Sequence, residues 1–314
     1  MQKPPAIVVI LGTGGTIAGT SEVPGDNVGY RAAQLGVQQL VDAVPGLRSE
    51  SLEAEQVAQV DSKDMDFAIW LALARRLEFH LGRDEVAGVV VTHGTDTLEE
   101  TAYFLQRVLA PRKPVALTAA MRPATALLRD GPQNLLDAVA VARVGGARGV
   151  VAVLAGAVHG ALDVRKVHSY RLDAFGCGDA GWLGWVEEGR LRQLRDWPDG
   201  TPIGISRLRE DPALWPSVEI ITGHAGSSGT LIQAALAQGV QGLILAGPGN
   251  GSVHRALDAA LYMAQARGVL VWRCTRCPAG PVFDEPGVPF PSAGLLTPVQ
   301  ARIEMMLSLM APPG

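Results

Sequence analysis

Short apolar runs alternate along the N-terminal half of the chain with segments whose apolar residues recur at helical spacing. Residues 7–11 and 86–91 are rich in Val and Ile and have the length of buried strands, whereas residues 64–81 have the length of a helix. The predicted strands are residues 7–11, 86–91, 114–120 and 149–154, and the predicted helices are residues 32–44, 64–81, 99–109 and a segment starting at Asp130-Gly-Pro132. Apolar strands separated by helices indicate a parallel sheet covered on both faces.

Three of the predicted helices carry local start signals. Ser62 is the predicted N-cap of helix 64–81. Thr97 and Glu100 match a capping box that opens helix 99–109. Pro132 falls in the first turn of the next helix, where its missing N–H would be unsatisfied in any case.

The alternation loosens from about residue 182 to residue 217, where Trp, Pro and charged residues accumulate, and then resumes. Such composition is typical of a connection between domains. We predict an α/β protein with two domains: a larger N-terminal catalytic domain (1–195), a linker (196–217) and a smaller C-terminal α/β domain (218–314). The larger domain is predicted to be doubly wound, with a mostly parallel sheet flanked by helices. The C-terminal elements are predicted at residues 218–222, 242–245 and 269–273 for strands and 228–237, 254–266 and 298–309 for helices.

Composition narrows the class of function. Hydrophobic residues make up 47% of the 314 positions and charged residues 18%, which is typical of a soluble globular protein. The formal net charge of -4 disfavours nucleic acid as a partner, because phosphate-binding domains usually carry a basic surplus. No apolar run reaches the ~20 residues needed to span a membrane, and the N-terminus lacks a signal-peptide pattern. We therefore expect a cytoplasmic protein.

Cys274 and Cys277 have C-x-x-C spacing. A zinc site would need a second such pair or a nearby His pair, and the sequence has neither. We interpret the two cysteines as ordinary thiols near a strand end and expect no metal.

The first candidate for chemistry is the Gly-rich turn at residues 12–16, Gly-Thr-Gly-Gly-Thr. It does not match the dinucleotide pattern G-x-G-x-x-G, and it has no Lys for a phosphate loop. What remains is a flexible turn at a strand end that presents Thr13 and Thr16. The residues alone leave open whether Thr16 is a nucleophile or only caps the turn.

The second candidate is the turn at residues 92–96, Thr-His-Gly-Thr-Asp, immediately before a predicted helix. Backbone N–H groups at a helix N-terminus stabilise negative charge, so an oxyanion could be held near Thr95. Asp96 could bind an ammonium group. The alternative is that Asp96 and Thr97 serve only as helix caps.

A hydroxyl nucleophile needs a base or a proton relay. His93 lies in the second turn, and Lys166 follows the strand that ends near Leu154, so it could reach the same edge of the sheet. A Lys can act in this way when its surroundings lower its pKa. Spacing alone does not choose between His93 and Lys166.

These segments together resemble the bacterial-type L-asparaginase family, which includes the glutaminase-asparaginases. The resemblance spans nearly the whole chain, including the two-domain layout. Its motifs are residues 11–19 (LGTGGTIAG), 91–104 (VTHGTDTLEETAYF), 61–65 (DSKDM), 120–123 (AMRP), 130–132 (DGP) and 246–251 (AGPGNG), in the order of the family.

The resemblance implies roles for individual residues. Thr16 would be the nucleophile and Tyr30 the tyrosine that contacts its hydroxyl, while Lys166 would help Thr95 to orient or activate water. The Thr95 N–H would stabilise the oxyanion, and the Ala120 carbonyl would accept the leaving amide nitrogen. The substrate-binding residues it implies are Ser62 for the α-carboxylate and Asp96 for the α-ammonium group, together with Lys63, Gly94, Thr95, Ala120 and Ser252, with Gly15, Asn250 and Glu285 as further candidates.

The resemblance also implies no organic cofactor, a small-molecule amide as substrate, and a homotetramer of tight dimers in which the smaller domain completes the neighbouring subunit's site. The chain departs from the common pattern at Ser252, where many members have Asn and where Ser resembles members with more glutaminase activity. Lys63 stands where Gln or Glu is common. The segment at residues 283–286 is shorter than in most family members and richer in proline. Within it, Glu285 would be the glutamate that one subunit places near the tyrosine of its neighbour.

Two other functions fit the same motifs. One is an amidase subunit that acts on glutamine for a transamidation complex, but such subunits carry an extra domain before the Thr turn. The other is an amino-acid-binding protein without activity, and the presence of Thr16, Thr95, Asp96 and Lys166 argues against it.

Overall fold

The computed structural model describes residues 6–23 and 25–310, and the chain divides into two compact units, Met1–Ile205 and Ser206–Gly314. The strands of the first unit are β1 (Ile7–Gly14), β2 (Leu52–Val60), β3 (Val86–Thr92), β4 (Val115–Thr118), β5 (Val150–Leu154), β6 (Ala157–Gly160), β7 (Arg165–Lys166), β8 (Phe175–Gly176), β9 (Gly184–Glu187) and β10 (Arg190–Gln193). Its helices are α1 (Val37–Asp42), α2 (Phe67–Leu81), α3 (Leu98–Leu109) and α4 (Gly131–Ala142).

Within the described residues, the main sheet has eight strands in the order β10-β9-β6-β5-β4-β3-β1-β2. The five strands from β2 to β5 are parallel, and the three that complete the other edge are antiparallel. The predicted α/β architecture with a mostly parallel sheet is thus confirmed. Strands β1 and β3 are neighbours, and Gly12 lies opposite Thr92, so the two polar turns leave the sheet at the same edge.

The core of this unit forms around β1, because its side chains are enclosed from both faces of the sheet. Val8, Val9, Ile10 and Leu11 are all fully buried. Each such side chain contributes roughly 1.5–3 kcal/mol through removal of apolar surface from water. This burial holds the end of β1, and therefore the turn after it, in a fixed place.

Helix α1 is much shorter than the predicted segment 32–44. Its first residues are drawn away from helical geometry because the N–H groups of Gln34 and Leu35 both donate to the carbonyl of Ala18 in the first turn. Ala33 has a positive φ of 55°, which a helix does not allow. The apolar residues do recur at helical spacing, but the backbone N–H groups at the start of the segment bond to the first turn and not within a helix.

Two predicted caps are wrong. Helix α2 begins at Phe67, and Asp66 caps it by accepting from the N–H of Ile69 at 2.8 Å. The Thr97 side chain makes no capping hydrogen bond, because its hydroxyl donates to the carbonyl of Ser62 at 2.7 Å. Ser62 and Thr97 therefore join two loops instead of starting two helices.

The hydrophobic pattern of the sequence did not predict two parts of the sheet. Strand β2 has no fully buried side chain, as expected for an edge strand. Strands β9 and β10 form a charged hairpin inside the stretch that we interpreted as a loosening of structure. Its turn, Glu188 and Gly189, has φ values of 49° and 70°, as a type I′ turn requires. Most side chains of these strands are only partly buried or exposed, so neither segment has the continuous apolar run of a central strand.

The second unit contains a three-stranded parallel sheet, within the described residues, in the order β11-β12-β13. Its elements are β11 (Val218–Thr222), α5 (Thr230–Ala237), β12 (Gly242–Gly247), α6 (Arg255–Ala266), β13 (Leu270–Thr275) and α7 (Pro298–Met310). Each agrees with a predicted element to within two residues. Cys274 is buried in β13, Cys277 is exposed beyond it, and both are free thiols.

Candidate active site

The turn after β1 is built on two glycines with positive φ, Gly14 at 106° and Gly15 at 81°. A side chain on Gly14 would overlap the backbone of Val60, so only glycine allows the two strands to come this close. Thr16 then opens a 3₁₀ turn, Thr16–Ala18, and is only 7% exposed. The strand end thus places a hydroxyl in a buried position.

The Thr16 hydroxyl lies 2.6 Å from the hydroxyl of Tyr30. The intervening loop returns to the turn because Thr20 and Arg31 exchange backbone hydrogen bonds at 2.9 and 2.8 Å. The Tyr30 ring packs against Gly19, where a Cβ atom would lie 2.8 Å from the ring. The two hydroxyls are therefore held in contact by the loop's own backbone.

The second turn packs directly on the first through two glycines. A Cβ atom on Gly15 would overlap the backbone of Gly94, and one on Gly94 would overlap the hydroxyl of Ser62. The buried Thr13 hydroxyl adds a hydrogen bond of 2.9 Å to the carbonyl of Thr92. These contacts bring the Thr16 and Thr95 turns together at the carboxyl ends of adjacent parallel strands, where sites form in such sheets.

Thr95 and Asp96 share one ammonium group. The Nζ atom of Lys166 lies 2.9 Å from the Thr95 hydroxyl and 2.6 Å from an Asp96 carboxylate oxygen. Thr95 is 5% exposed, whereas the Asp96 side chain is 54% exposed. The Asp96 carboxylate therefore has a free side open to solvent and to a ligand.

Ser62 joins this cluster through its hydroxyl, which accepts from the N–H of Asp96 at 3.2 Å. It is buried at 2% exposure in the short 3₁₀ turn Ser62–Asp64. The cluster thus presents two hydroxyls, an ammonium group and a carboxylate next to the Thr16 hydroxyl.

His93, the alternative to Lys166, is buried, and its two ring nitrogens bond to groups other than the Thr16 and Thr95 hydroxyls. Its Nδ1 lies 2.7 Å from the Gly94 carbonyl, which can only accept, so Nδ1 carries the hydrogen. Its Nε2 then accepts from the Thr101 hydroxyl at 2.9 Å. Burial lowers the pKa of His93 to about 4, so the ring stays neutral and both nitrogens are occupied. Lys166 is the group that contacts Thr95.

Comparison with known proteins decides the family. Residues 7–198 match the family described as "Asparaginase, N-terminal", and residues 217–312 match the "Glutaminase/Asparaginase C-terminal domain". The chain belongs to the asparaginase family.

Individual members of the asparaginase family are similar over most of the chain. "L-asparaginase 2" of Bacillus subtilis is 37% identical over 96% of this chain and 81% of its own length. The "Glutaminase-asparaginase" of Pseudomonas fluorescens is 38% identical over 88% of this chain and 76% of its own. The crystal structure of a "Probable Cytoplasmic L-asparaginase" from Campylobacter jejuni superposes with a TM-score of 0.92 at 36% identity, covering 98% of this chain and 96% of that one.

Near Ala120, the asparaginase-family motif Asp130-Gly-Pro132 acts through its carboxylate. Asp130 accepts from the N–H groups of Met121 at 2.9 Å and Arg122 at 3.0 Å. The buried Asn134 donates to the Ala119 carbonyl at 2.9 Å. Ala120 itself is fully buried against Ile17, next to Thr16. Sequence reasoning missed Asn134, which lies one helical turn after Asp130 and outside the motif at residues 130–132.

Glu99 is a second residue that sequence reasoning missed. Its carboxylate accepts from the backbone N–H of Lys166 at 2.9 Å. The capping-box pattern in this segment pairs Thr97 with Glu100 and gives no role to Glu99.

Four of the expected residues have side chains that are exposed to solvent or paired with other groups. The Lys63 ammonium group is exposed and pairs with Asp61 at 2.6 Å, which raises the pKa of Lys63. The other three, Asn250, Ser252 and Glu285, belong to the second unit. There Asn250 donates to Glu285 at 2.5 Å, and both Ser252 and Glu285 are exposed.

No group of three or more His, Cys, Asp or Glu side chains is arranged to hold a metal ion among residues 6–23 and 25–310. Across the same residues, no helix has both the length and the apolar character needed to cross a membrane.

Proposed function

We propose that this protein is an L-asparaginase that hydrolyses the side-chain amide of L-asparagine to L-aspartate and ammonia through an acyl-threonine intermediate on Thr16. The observation that carries the proposal is the buried Thr16 hydroxyl, 2.6 Å from the Tyr30 hydroxyl. A hydroxyl becomes a nucleophile when a neighbouring group takes its proton. Family membership and the names of the relatives support this chemistry.

In the first half of the reaction, the Thr16 oxygen attacks the amide carbon while its proton is relayed through Tyr30, whose hydroxyl accepts it and passes its own proton to the amide nitrogen. The C–N bond then breaks, and ammonia leaves with that proton. The negative charge that develops on the amide oxygen is stabilised by the backbone N–H of Thr95, an interaction typically worth ~3–4 kcal/mol. The carbonyl of Ala120 accepts a hydrogen bond from the leaving nitrogen and orients it.

In the second half, water attacks the acyl-threonine ester. The Thr95 hydroxyl, held by a hydrogen bond of 2.9 Å from the Lys166 ammonium group, orients this water. As the ester bond breaks, the water's proton passes to the departing Thr16 oxygen. The products are the free Thr16 hydroxyl and L-aspartate. Attack by water needs a group positioned within hydrogen-bond reach, and the Lys166–Thr95 pair supplies one.

Substrate recognition is assigned to the polar groups around the two turns. The open side of the Asp96 carboxylate binds the α-ammonium group, and Ser62 binds the α-carboxylate. Gly15 and Gly94 have no side chains, which lets the two turns pack closely enough to form one site. Asn250, Ser252 and Glu285 are proposed to complete a neighbouring subunit's site, as the family resemblance implies, within a homotetramer. Lys63 is kept as a candidate for the carboxylate end of the substrate.

Glutaminase activity is the second candidate function. One relative is named "Glutaminase-asparaginase", and Ser252 stands where the family resemblance links Ser to more glutaminase activity. A cytoplasmic location is also proposed. It is supported by the name of the Campylobacter jejuni protein, although another relative is named as periplasmic.

Ammonia release from L-asparagine, D-asparagine and L-glutamine, measured side by side, tests the function. Wild-type protein should release ammonia from L-asparagine at the highest rate, and a brief incubation should leave an aspartyl group detectable by mass on Thr16. Thr16→Ala should lose both signals, whereas Thr201→Ala, at an exposed position, should keep them. Wild-type rates in Thr16→Ala would show that the nucleophile is assigned wrongly.

A further inference from the structure

The carboxylate of Glu99 lies behind the Lys166–Thr95 pair. Glu99 stands in the first turn of α3, three residues after Asp96, and it is partly buried. Its Oε2 atom accepts from the backbone N–H of Lys166 at 2.9 Å. The turn that carries Thr95 and the strand that carries Lys166 are 71 residues apart in sequence, and this hydrogen bond ties them together.

Lys166 needs such an anchor because the element that carries it is very short. Strand β7 has two residues and pairs with the equally short β8, where Lys166 lies opposite Phe175. A lysine side chain has many rotamers, so its ammonium group stays within reach of Thr95 only if its backbone is fixed. The bond from Glu99 fixes that backbone at the residue that matters.

We propose that Glu99 is a positioning residue that acts through Lys166: it holds the Lys166 backbone so that the ammonium group meets the Thr95 hydroxyl and the Asp96 carboxylate. The proposal rests on the function assigned to Lys166 above. The carboxylate of Glu99 bonds to the backbone of Lys166, so its effect on the reaction passes through Lys166 and is indirect.

The charge of Glu99 adds a pH dependence to this role. The charged groups that face its carboxyl are Glu100 on the same helix and Arg165 and Lys166 on β7. Burial raises the pKa of Glu99 to about 7, although the Lys166 N–H opposes the increase. The ionised carboxylate accepts hydrogen bonds about twice as strongly as a neutral acceptor. Lys166 is therefore held more firmly above pH 7 than below it.

Two variants separate the acceptor from the charge. Glu99→Gln keeps a carbonyl oxygen for the Lys166 N–H, and Glu99→Leu removes it at similar size. We expect kcat of Glu99→Leu to fall by roughly 10- to 100-fold at every pH, as displacement of a reacting group by about 1 Å does. Glu99→Gln should stay within about threefold of the wild-type kcat measured at pH 6. The wild-type increase in kcat with an apparent pKa near 7 should be absent in Glu99→Gln.

A double-mutant cycle shows whether Glu99 acts through Lys166. In a Lys166→Met background, adding Glu99→Leu should lower kcat by less than twofold, because the group being positioned is already gone. Wild-type kcat in Glu99→Leu, a retained ionisation near pH 7 in Glu99→Gln, or full additivity in the double variant would each overturn the proposal. If Lys166→Met alone kept wild-type kcat, the role of Lys166 in the proposed function would fail instead. Circular dichroism and thermal unfolding of each variant identify any loss of fold, and the Gln variant supplies the test if the Leu variant does not fold.

Discussion

Gly15 and Gly94 pack backbone to backbone, with no space between them for a Cβ atom. Gly15 also has a positive φ of 81°, which residues other than glycine rarely adopt. The contact therefore requires glycine at Gly15 for both steric and conformational reasons. It sets the distance between the turn that carries Thr16 and the turn that carries Thr95.

Gly15→Ala should separate the two turns. We expect the free energy of unfolding to drop by about 1–3 kcal/mol and kcat to fall more than tenfold, since both the strained φ and the overlap with Gly94 act in the same direction. Urea unfolding and ammonia release measure the two effects. The matched control is Gly145→Ala, because nothing lies within 4 Å of a Cβ atom there. Equal behaviour of the two variants would mean that the turns adapt to a side chain.

Tyr30→Phe should remove the partner of the Thr16 hydroxyl and leave the ring packed against Gly19. We expect kcat to fall roughly 100-fold with little change in KM, because proton transfer contributes about 10²–10⁴-fold to such reactions. Tyr170→Phe is the control, since the Tyr170 ring packs under the guanidinium of Arg122 and Phe keeps that contact. A Tyr30→Phe enzyme with a normal kcat would exclude Tyr30 as the proton relay.

Lys166→Met should slow the breakdown of the acyl-threonine intermediate more than its formation. The expected sign is a burst of ammonia equal to the enzyme concentration, followed by a steady state reduced by roughly 100-fold. Rapid-mixing measurements of ammonia and of aspartate resolve the two phases. Lys113→Met provides the comparison, because the Lys113 ammonium group donates to the backbone carbonyl of Arg83. Loss of the burst together with the steady state would place Lys166 in the first step instead.

His159 should make the protein less stable in acid. It is buried in β6, and burial lowers the pKa of His159 from 6.5 to about 4. Between these values the unfolded chain binds a proton that the folded chain does not, so stability falls as the pH drops below 6.5. From pH 6.5 to pH 5 the free energy of unfolding decreases by about 1.6 kcal/mol.

Urea unfolding of wild-type and His159→Gln protein at pH 6.5 and pH 5 checks this value. Between these pH values the free energy of unfolding of the variant should decrease by about 1.6 kcal/mol less than that of the wild type, whatever its absolute stability. The same pH dependence in both proteins would show that His159 takes up its proton equally in the folded and unfolded states.

Much of the fold follows from local pattern. The strands of the second unit and the central strands of the first were predicted to within a few residues, because buried parallel strands are apolar on both faces. Strand β2 and the hairpin of β9 and β10 were missed because most of their side chains are partly buried or exposed, so they lack a continuous apolar run. The predicted helix caps were wrong where a polar side chain has a partner far away in sequence. The hydroxyls of Ser62 and Thr97 form hydrogen bonds between two loops rather than with their own helices.

The sequence by itself determined the two Gly- and Thr-rich turns and their place at strand ends, because strand burial and glycine spacing are local properties. Residue spacing did not choose between His93 and Lys166, the family resemblance implied Lys166, and neither revealed Glu99 or Asn134. The contacts that support these assignments depend on the tertiary structure, which buries His93 in a neutral form and brings the Lys166 nitrogen to 2.9 Å from a hydroxyl 71 residues earlier in the chain. Desolvation and long-range contact are properties of the packed chain, and no spacing along the sequence reports them.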